Sequence, residues 1–218
     1  VQLIGTGREA DVYAIGDGRV LRRYREGGDV AREMSVMKYV AAQGFPVPEV
    51  FSGDGPDLIM QRVDGPTMLA ELFAGRLDPT WCGETLADLL NKLHTIAALS
   101  SPDPTDRVLH LDLHPDNVIL TAAGPVVIDW RNGTDGPPGF DNALTAVTIA
   151  QAVLSGLVDG DLAEAARALL RAFLLGIDSP IDAHVGRAIT MRRNNNTMTA
   201  HETGVLDQVP EMLFLMRP

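Results

Sequence analysis

Apolar and polar positions alternate along the start of the chain, through LIGTG, ADVYAIGDG and RVLRRY. Alternation in β-branched and aromatic residues, punctuated by Gly, predicts three strands, with GDG as a tight hairpin turn. From Asp29 to about Gln43 the period lengthens. Val30, Glu33, Met37 and Val40 fall on one helical face, and Gly44 stands where a helix C-terminal cap belongs. PVPEVFSG and DLIMQRV then predict two more strands around the turn residues Gly53 to Pro56.

Beyond Gly65-Pro66 the pattern becomes helical. It predicts a short helix over Thr67 to Phe73 and a longer one over Glu84 to Leu99, where Leu86, Leu89, Leu90, Leu93 and Ile96 recur at helical spacing. SPDPTD reads as a loop, and VIL and VVI as short strands flanking TAAG. Helices are expected over 141–156, 161–176 and 182–193, with an apolar last helix from about Val205 and a loop or helix end at Asn194 to Asn196. The expected fold class is α+β. A β-rich N-terminal lobe, residues 1–63, is joined through residues 61–66 to a helical C-terminal lobe, residues 64–218.

Hydrophobic residues make up 45% of the chain and the mean hydropathy is +0.05, which suits a globular protein with a real core. No apolar run approaches the roughly 18 residues that would cross a bilayer, and no basic-then-apolar leader opens the chain, so no membrane partner is expected. Cys82 is the only cysteine, which excludes an internal disulfide and points to a reducing cytoplasm. The net charge of −11 argues against a nucleic-acid partner. It would attract a cationic small molecule, although most such charge is a solvated surface. A monomer or homodimer is expected.

The chemistry concentrates in HLDLHPDNVIL, residues 110–120, and in VVIDW, which ends at Trp130. His110, Asp112 and Asn117, followed by Asp129 at the end of a later strand, fit the H-x-D-x-x-x-x-N loop of phosphoryl transfer. Asp112 is positioned to act as base on a hydroxyl. Asn117 and Asp129 offer oxygen ligands suited to Mg²⁺, and His110 is expected to brace the loop. A rival reading takes His110, Asp112 and His114, with Asp129, as a transition-metal site; it leaves Asn117 unexplained.

The N-terminal residues supply the complement. Gly5 and Gly7, in GTGREADV, allow backbone N–H groups close to phosphate oxygens, and Val12 would cover a nucleotide base. Arg22 follows the apolar pair Val20-Leu21 and is placed to reach the phosphates. Glu33 interrupts an apolar stripe and is its expected partner, because a carboxylate buried alone is costly. Backbone groups of Gln61 and Val63, with Met60 packed behind, are candidates for reading the base edge.

These segments together resemble the aminoglycoside phosphotransferase and choline kinase-like group, which shares the protein-kinase fold. The resemblance is clearest from Ile4 to Asp141 and thins beyond it. It implies Mg²⁺-assisted transfer of the γ-phosphoryl group of ATP or GTP to the hydroxyl of a small acceptor, cationic if the chain's charge is a guide. Three residues depart from the pattern. Arg22 stands where the family usually has Lys, Leu111 where a small residue is frequent, and Trp130 where Phe or Leu commonly follows the metal Asp. These departures motivate a second reading, a kinase-fold nucleotide- or ligand-binding protein with little catalysis. Asp135 and Asp141 lie close enough to face an acceptor, with Asp141 equally suited to cap the next helix.

Overall fold

A computed structural model describes residues 1–216; residues 217 and 218, the end of the expected C-terminal lobe, lie outside the described residues. The N-terminal alternation folds into one antiparallel sheet of five strands: β1 (Gln2–Thr6), β2 (Ala10–Gly16), β3 (Arg19–Tyr24), β4 (Val50–Asp54) and β5 (Asp57–Gln61), in the order β1-β2-β3-β5-β4. The β2–β3 turn carries three left-handed residues in succession, Gly16, Asp17 and Gly18, with φ of 92°, 51° and 66°. Such a turn matches the twist of the strands it joins. Along β3, Val20, Arg22 and Tyr24 point inward while Arg19 and Arg23 face solvent.

Helix α1 (Ala31–Ala42) packs against β4 through its buried face, Glu33, Val36, Met37 and Val40. It starts later than the expected Asp29 because the Asp29 carboxylate accepts the Ala31 N–H at 2.8 Å from outside the helix. Gly44, with φ of 77°, ends it as expected.

The connection between lobes is anchored at both ends. Arg62 N–H donates to Gly18 O at 2.7 Å, and Leu120 N–H donates to Pro66 O at 2.9 Å. Between them Gly65 has φ of 154°, and a Cβ there would lie 2.1 Å from Leu120 O. Only glycine fits so close a backbone approach.

The second lobe is built from α2 (Met68–Phe73), α3 (Pro79–Leu93), α4 (Pro138–Leu154), α5 (Gly160–Gly176), α6 (Val185–Arg193), α7 (Ala200–Gly204) and α8 (Val209–Met216). Helix α3 lies earlier than the Glu84–Leu99 expectation. Asp78 caps it through the Thr80 N–H at 2.7 Å and Pro79 opens it. Past His94 the chain leaves the helix so that Ile96 O can accept from Val108 N–H. The single helix expected from Val205 is divided. A 3₁₀ turn, Leu206–Gln208, precedes α8, and Pro210 sits in the first turn of α8, the position where a missing N–H costs least.

Two short ribbons flank residues 110–117 and position them. One pairs β6 (Arg107–Leu109) with β9 (Thr134–Gly136), and the other pairs β7 (Val118–Thr121) with β8 (Gly124–Val127). The first ribbon was not expected, because three residues are too few to show a period. The helical core closes where Leu86, Leu90 and Leu93 of α3 are buried with Leu169, Leu170 and Phe173 of α5. A Cβ on Gly83 would lie 2.2 Å from Leu169 O, so the two helices approach to backbone contact. No helix among the described residues is long and apolar enough to cross a membrane.

Candidate active site

The segment 110–117 is shaped from beneath by one carboxylate. Asp141, in the first turn of α4, is fully buried; its Oδ1 accepts the Leu111 N–H and its Oδ2 the His110 N–H, both at 2.8 Å. His94 Nε2 lies 3.2 Å from the same Oδ2. Burial would push the Asp141 carboxyl up, but the His94 hydrogen bond and charge and the His110 contacts outweigh it and hold it below the usual carboxylate range. Asp141 therefore neither caps α4 nor faces an acceptor; its oxygens are spent on the loop backbone. Asp135 also has a structural partner set, accepting the N–H groups of Leu99, Ser100 and Ser101.

Held in this way, Leu111 adopts φ of 59°, a left-handed conformation that costs about 1–2 kcal/mol in a non-glycine residue. The His110 ring packs edge-on to Trp130 at 4.7 Å. Its Nε2 lies 3.0 Å from Ile128 O, and its Nδ1 accepts the Asp112 N–H at 3.2 Å. Burial lowers the His110 pKa, so the ring is neutral, with its proton on Nε2. Both ring nitrogens are thus engaged within the protein. That arrangement rules out the transition-metal reading, and no group of three His, Cys, Asp or Glu among the described residues gathers to hold a metal.

Asn117 ends a 3₁₀ turn over Pro115–Asn117. Its Nδ2 donates to Asp112 O at 2.8 Å, and its backbone O accepts the Ile128 N–H at 3.0 Å. These two bonds bring the loop beside the end of the β7–β8 ribbon, where Asp129 follows with φ of 66°. Asp112 is a half-buried carboxylate 3.9 Å from His114 Nε2; burial pushes its pKa up and the neighbouring His114 opposes the shift. Trp130 is fully buried, donates its indole N–H to Val127 O at 3.0 Å, and stacks edge-on with Phe45.

The sheet supplies the opposite wall. Arg22 donates from Nη1 to Glu33 Oε1 at 2.8 Å and from Nη2 to Asp129 Oδ1 at 2.5 Å. The Tyr24 hydroxyl donates to the other Glu33 oxygen at 2.7 Å. Burial opposes the charge on Arg22, but Asp129 and Glu33 more than offset it and raise its pKa. Asp129 is likewise disfavoured by burial and pulled below the normal range by Arg22.

Gly5, Gly7, Val12 and Arg22 line one cleft of about 1430 Å³, together with Met60, Gln61 and Val63. Asp112, Asn117 and Asp129 line the same cleft from below. Glu33 does not reach it and sits behind Arg22. Neither Gly5 nor Gly7 has a positive φ, and a Cβ on either would make only ordinary contacts, so the fold itself does not demand glycine there. The Val63 N–H has no partner among the described residues.

The model of the phosphotransferase enzyme family matches residues 1–107 and 97–179, most of the chain. The chain belongs to the phosphotransferase enzyme family. The family comprises small-molecule kinases, and the sheet-and-helix architecture of this phosphotransferase is that of its protein-kinase-like fold. Among solved structures it is similar to a choline/ethanolamine kinase family protein from Mesorhizobium loti, at 18% identity over 98% of this chain and 87% of that one, with a TM-score of 0.59. It is also similar to the amicoumacin kinase hAmiN in complex with AMP-PNP, Ca²⁺ and amicoumacin, at 11% identity over 100% of this chain and 89% of that one, TM-score 0.56. A third is the ADP-bound aminoglycoside phosphotransferase APH(2'')-Ib, at 13% identity over 97% and 91%, TM-score 0.53. These likenesses carry the fold. No curated protein matches the chain.

Two residues of the phosphotransferase cleft had no signal in the sequence reading. Arg192, near the end of α6, and Gln151, in the last turn of α4, both line it. Gln151 is a buried polar residue on the otherwise mainly apolar run from Ala143 to Val153, a break in pattern of the same kind as Glu33 in α1.

Proposed function

We propose that this phosphotransferase is an active small-molecule kinase that moves the γ-phosphoryl group of ATP, or of GTP, onto an acceptor hydroxyl. The observation that carries the reading is the convergence of Asp112, Asn117, Asp129 and Arg22 on one cleft. In the division of labour we propose, residues 1–63 hold the nucleotide, and residues 64–218 carry the catalytic loop and the acceptor region. The acceptor hydroxyl oxygen attacks the γ-phosphorus, the bond to the β-phosphate oxygen breaks, and the nucleoside diphosphate leaves. Asp112 takes the hydroxyl proton.

The residues present fit Mg²⁺. Asn117 Nδ2 is committed to Asp112 O, which leaves its Oδ1 as the free acceptor, and the Asp129 side chain is 41% exposed to the cleft. One amide oxygen and one carboxylate make a hard-oxygen pair, and phosphates and water complete such a site. When bound, the cation neutralises charge on the phosphates. Arg22 adds a fixed positive charge, kept in place by Glu33 and Tyr24. Gly5 and Gly7 leave room for phosphate oxygens, Val12 and Met60 flank the base, and the backbone of Gln61 and Val63 reads its edge.

The test is phosphorylated product from a panel of alcohols with Mg·ATP. Asp112→Ala should lower turnover by about 10²–10⁴-fold while nucleotide binding persists. Normal turnover in that variant removes Asp112 as the base. The hold of Arg22 on Asp129 favours a second reading, in which nucleotide binds without transfer. Thermal stabilisation by Mg·ATP with no product from any alcohol is the outcome that selects it.

A further inference from the structure

The helical wall of the cleft, from α4 onward, differs in character from the chain as a whole. The net charge of −11 would draw a cation, yet among the described residues Glu202 is the only carboxylate this wall presents. Glu202 is already occupied. Its Oε2 accepts the Thr199 N–H at 2.8 Å in a capping box, and its Oε1 lies 3.5 Å from Arg8. The other charged group of this wall among the described residues is Arg192.

Arg192 is built into place. Its Nε and Nη2 both donate to Gln151 Oε1, at 3.0 and 2.8 Å, and Gln151, itself buried, is fixed by donating from Nε2 to Glu202 O at 2.7 Å. Arg192 forms no ion pair among the described residues, and its Nη1 has no partner there. A half-buried guanidinium held by a neutral amide keeps its capacity for an anion, since an amide accepts hydrogen bonds without neutralising charge. Burial, with Arg8 nearby, lowers its pKa below the usual guanidinium range, and Asp112 and Glu202 oppose that shift.

The same cleft carries an apolar strip. Leu162, Ala165, Ala166 and Leu169 of α5 line the cleft at helical spacing, so one face of the helix is presented to it.

Resting on the phosphotransferase reading, we propose that the acceptor is a hydroxycarboxylate-type molecule whose anionic group sits on Arg192, whose aliphatic body lies along α5, and whose hydroxyl meets Asp112. Arg192 is then a specificity-determining residue, and cationic amino alcohols and aminoglycosides are disfavoured. The transfer is balanced as before: the acceptor oxygen gains the phosphoryl group, Asp112 takes its proton and the nucleoside diphosphate leaves.

A matched series tests this: 3-hydroxyoctanoate, 1,3-octanediol and 1-amino-3-octanol, which share a skeleton and differ in charge. Binding of each to the full chain with Mg·ADP, and kcat/KM with Mg·ATP, are measured for the native protein and for Arg192→Gln. The expected order is carboxylate, then diol, then amine. Arg192→Gln should lower the carboxylate-to-diol ratio by about tenfold or more, through KM, as fits the loss of one charged hydrogen bond. Arg192→Glu should shift the preference towards the amine. Preference of the native protein for the amine, binding of none of the three, or an equal fall in kcat for all of them in Arg192→Gln would overturn the assignment. Failure to bind Mg·ATP at all would instead overturn the phosphotransferase reading beneath it.

Discussion

Arg22 and Asp129, contributed by β3 and by the turn that follows β8, form an ion pair of 2.5 Å across the cleft. The same guanidinium is 2.8 Å from Glu33, so one side chain joins the sheet, α1 and Asp129. Arg can do this because its fork offers separate nitrogens to two acids, where Lys would offer a single point charge.

Removing that fork leaves Glu33, only 4% exposed, without a cation. Arg22→Ala is expected to destabilise the protein by about 3–5 kcal/mol, the usual result of breaking a buried pair on one side. Urea denaturation checks it. The double variant Arg22→Met with Glu33→Met should recover most of the loss, because the buried acid is gone and Asp129, 41% exposed, can be solvated. An Arg22→Ala protein as stable as the native one would remove the pair from the account of the fold.

Nucleotide binding should require the divalent cation and Asp129. Mg·ATP at a hundred times its Kd is expected to add about 2.7 kcal/mol of stability, lost on chelation of the metal. Asp129→Asn retains an acceptor for Arg22 but lacks the carboxylate charge, so its own stability serves as baseline. Thermal shifts with and without Mg²⁺ read the difference. Equal stabilisation of Asp129→Asn and the native protein would exclude Asp129 as a metal ligand.

Gly65 offers a test of the connection between lobes. Gly65→Ala drives a Cβ to within 2.1 Å of Leu120 O and should cost about 3 kcal/mol. Gly186→Ala, in α6 with open space around the Cβ position, should instead be neutral or gain about 0.5–1 kcal/mol. Denaturant midpoints of the two variants check the contrast, and a tolerated Gly65→Ala would mean that the connection moves freely.

Much of this is legible in the sequence because local patterns agree with one another. The five strands and α1 followed from alternation and then from a helical stripe, and Glu33 was readable as paired because it broke that stripe. Asp112 and Asn117 stand out by their spacing within one segment, and Asp129 by its place at the end of a later strand. Asp141 was misread, since a short side chain before an apolar helix carries the same signal whether it caps that helix or clamps a distant loop. Its partners lie about thirty residues upstream at His110 and Leu111, and only the tertiary fold brings them together. Arg192 and Gln151 were missed for a related reason. Their meeting depends on how α6 crosses α4, which no local period encodes.

The Asp141 clamp makes a prediction about acid stability. Two backbone N–H groups and His94 converge on a buried carboxylate whose pKa is held down. An unfolded Asp titrates near 3.9. A native pKa below the unfolded one contributes stability that is complete well above that value and is lost as pH falls through the lowered native pKa. The native protein should therefore weaken as the pH falls below about 4, more steeply than a variant without this group. Asp141→Asn keeps one acceptor but turns an amide donor against a backbone N–H, and should cost about 3 kcal/mol at neutral pH. Because Asn does not titrate, the gap between the two proteins should narrow on acidification. Urea midpoints at pH 7, 4.5 and 3 measure it. A gap that stayed constant across that range would show that Asp141 binds the loop through shape alone, with no contribution from its charge.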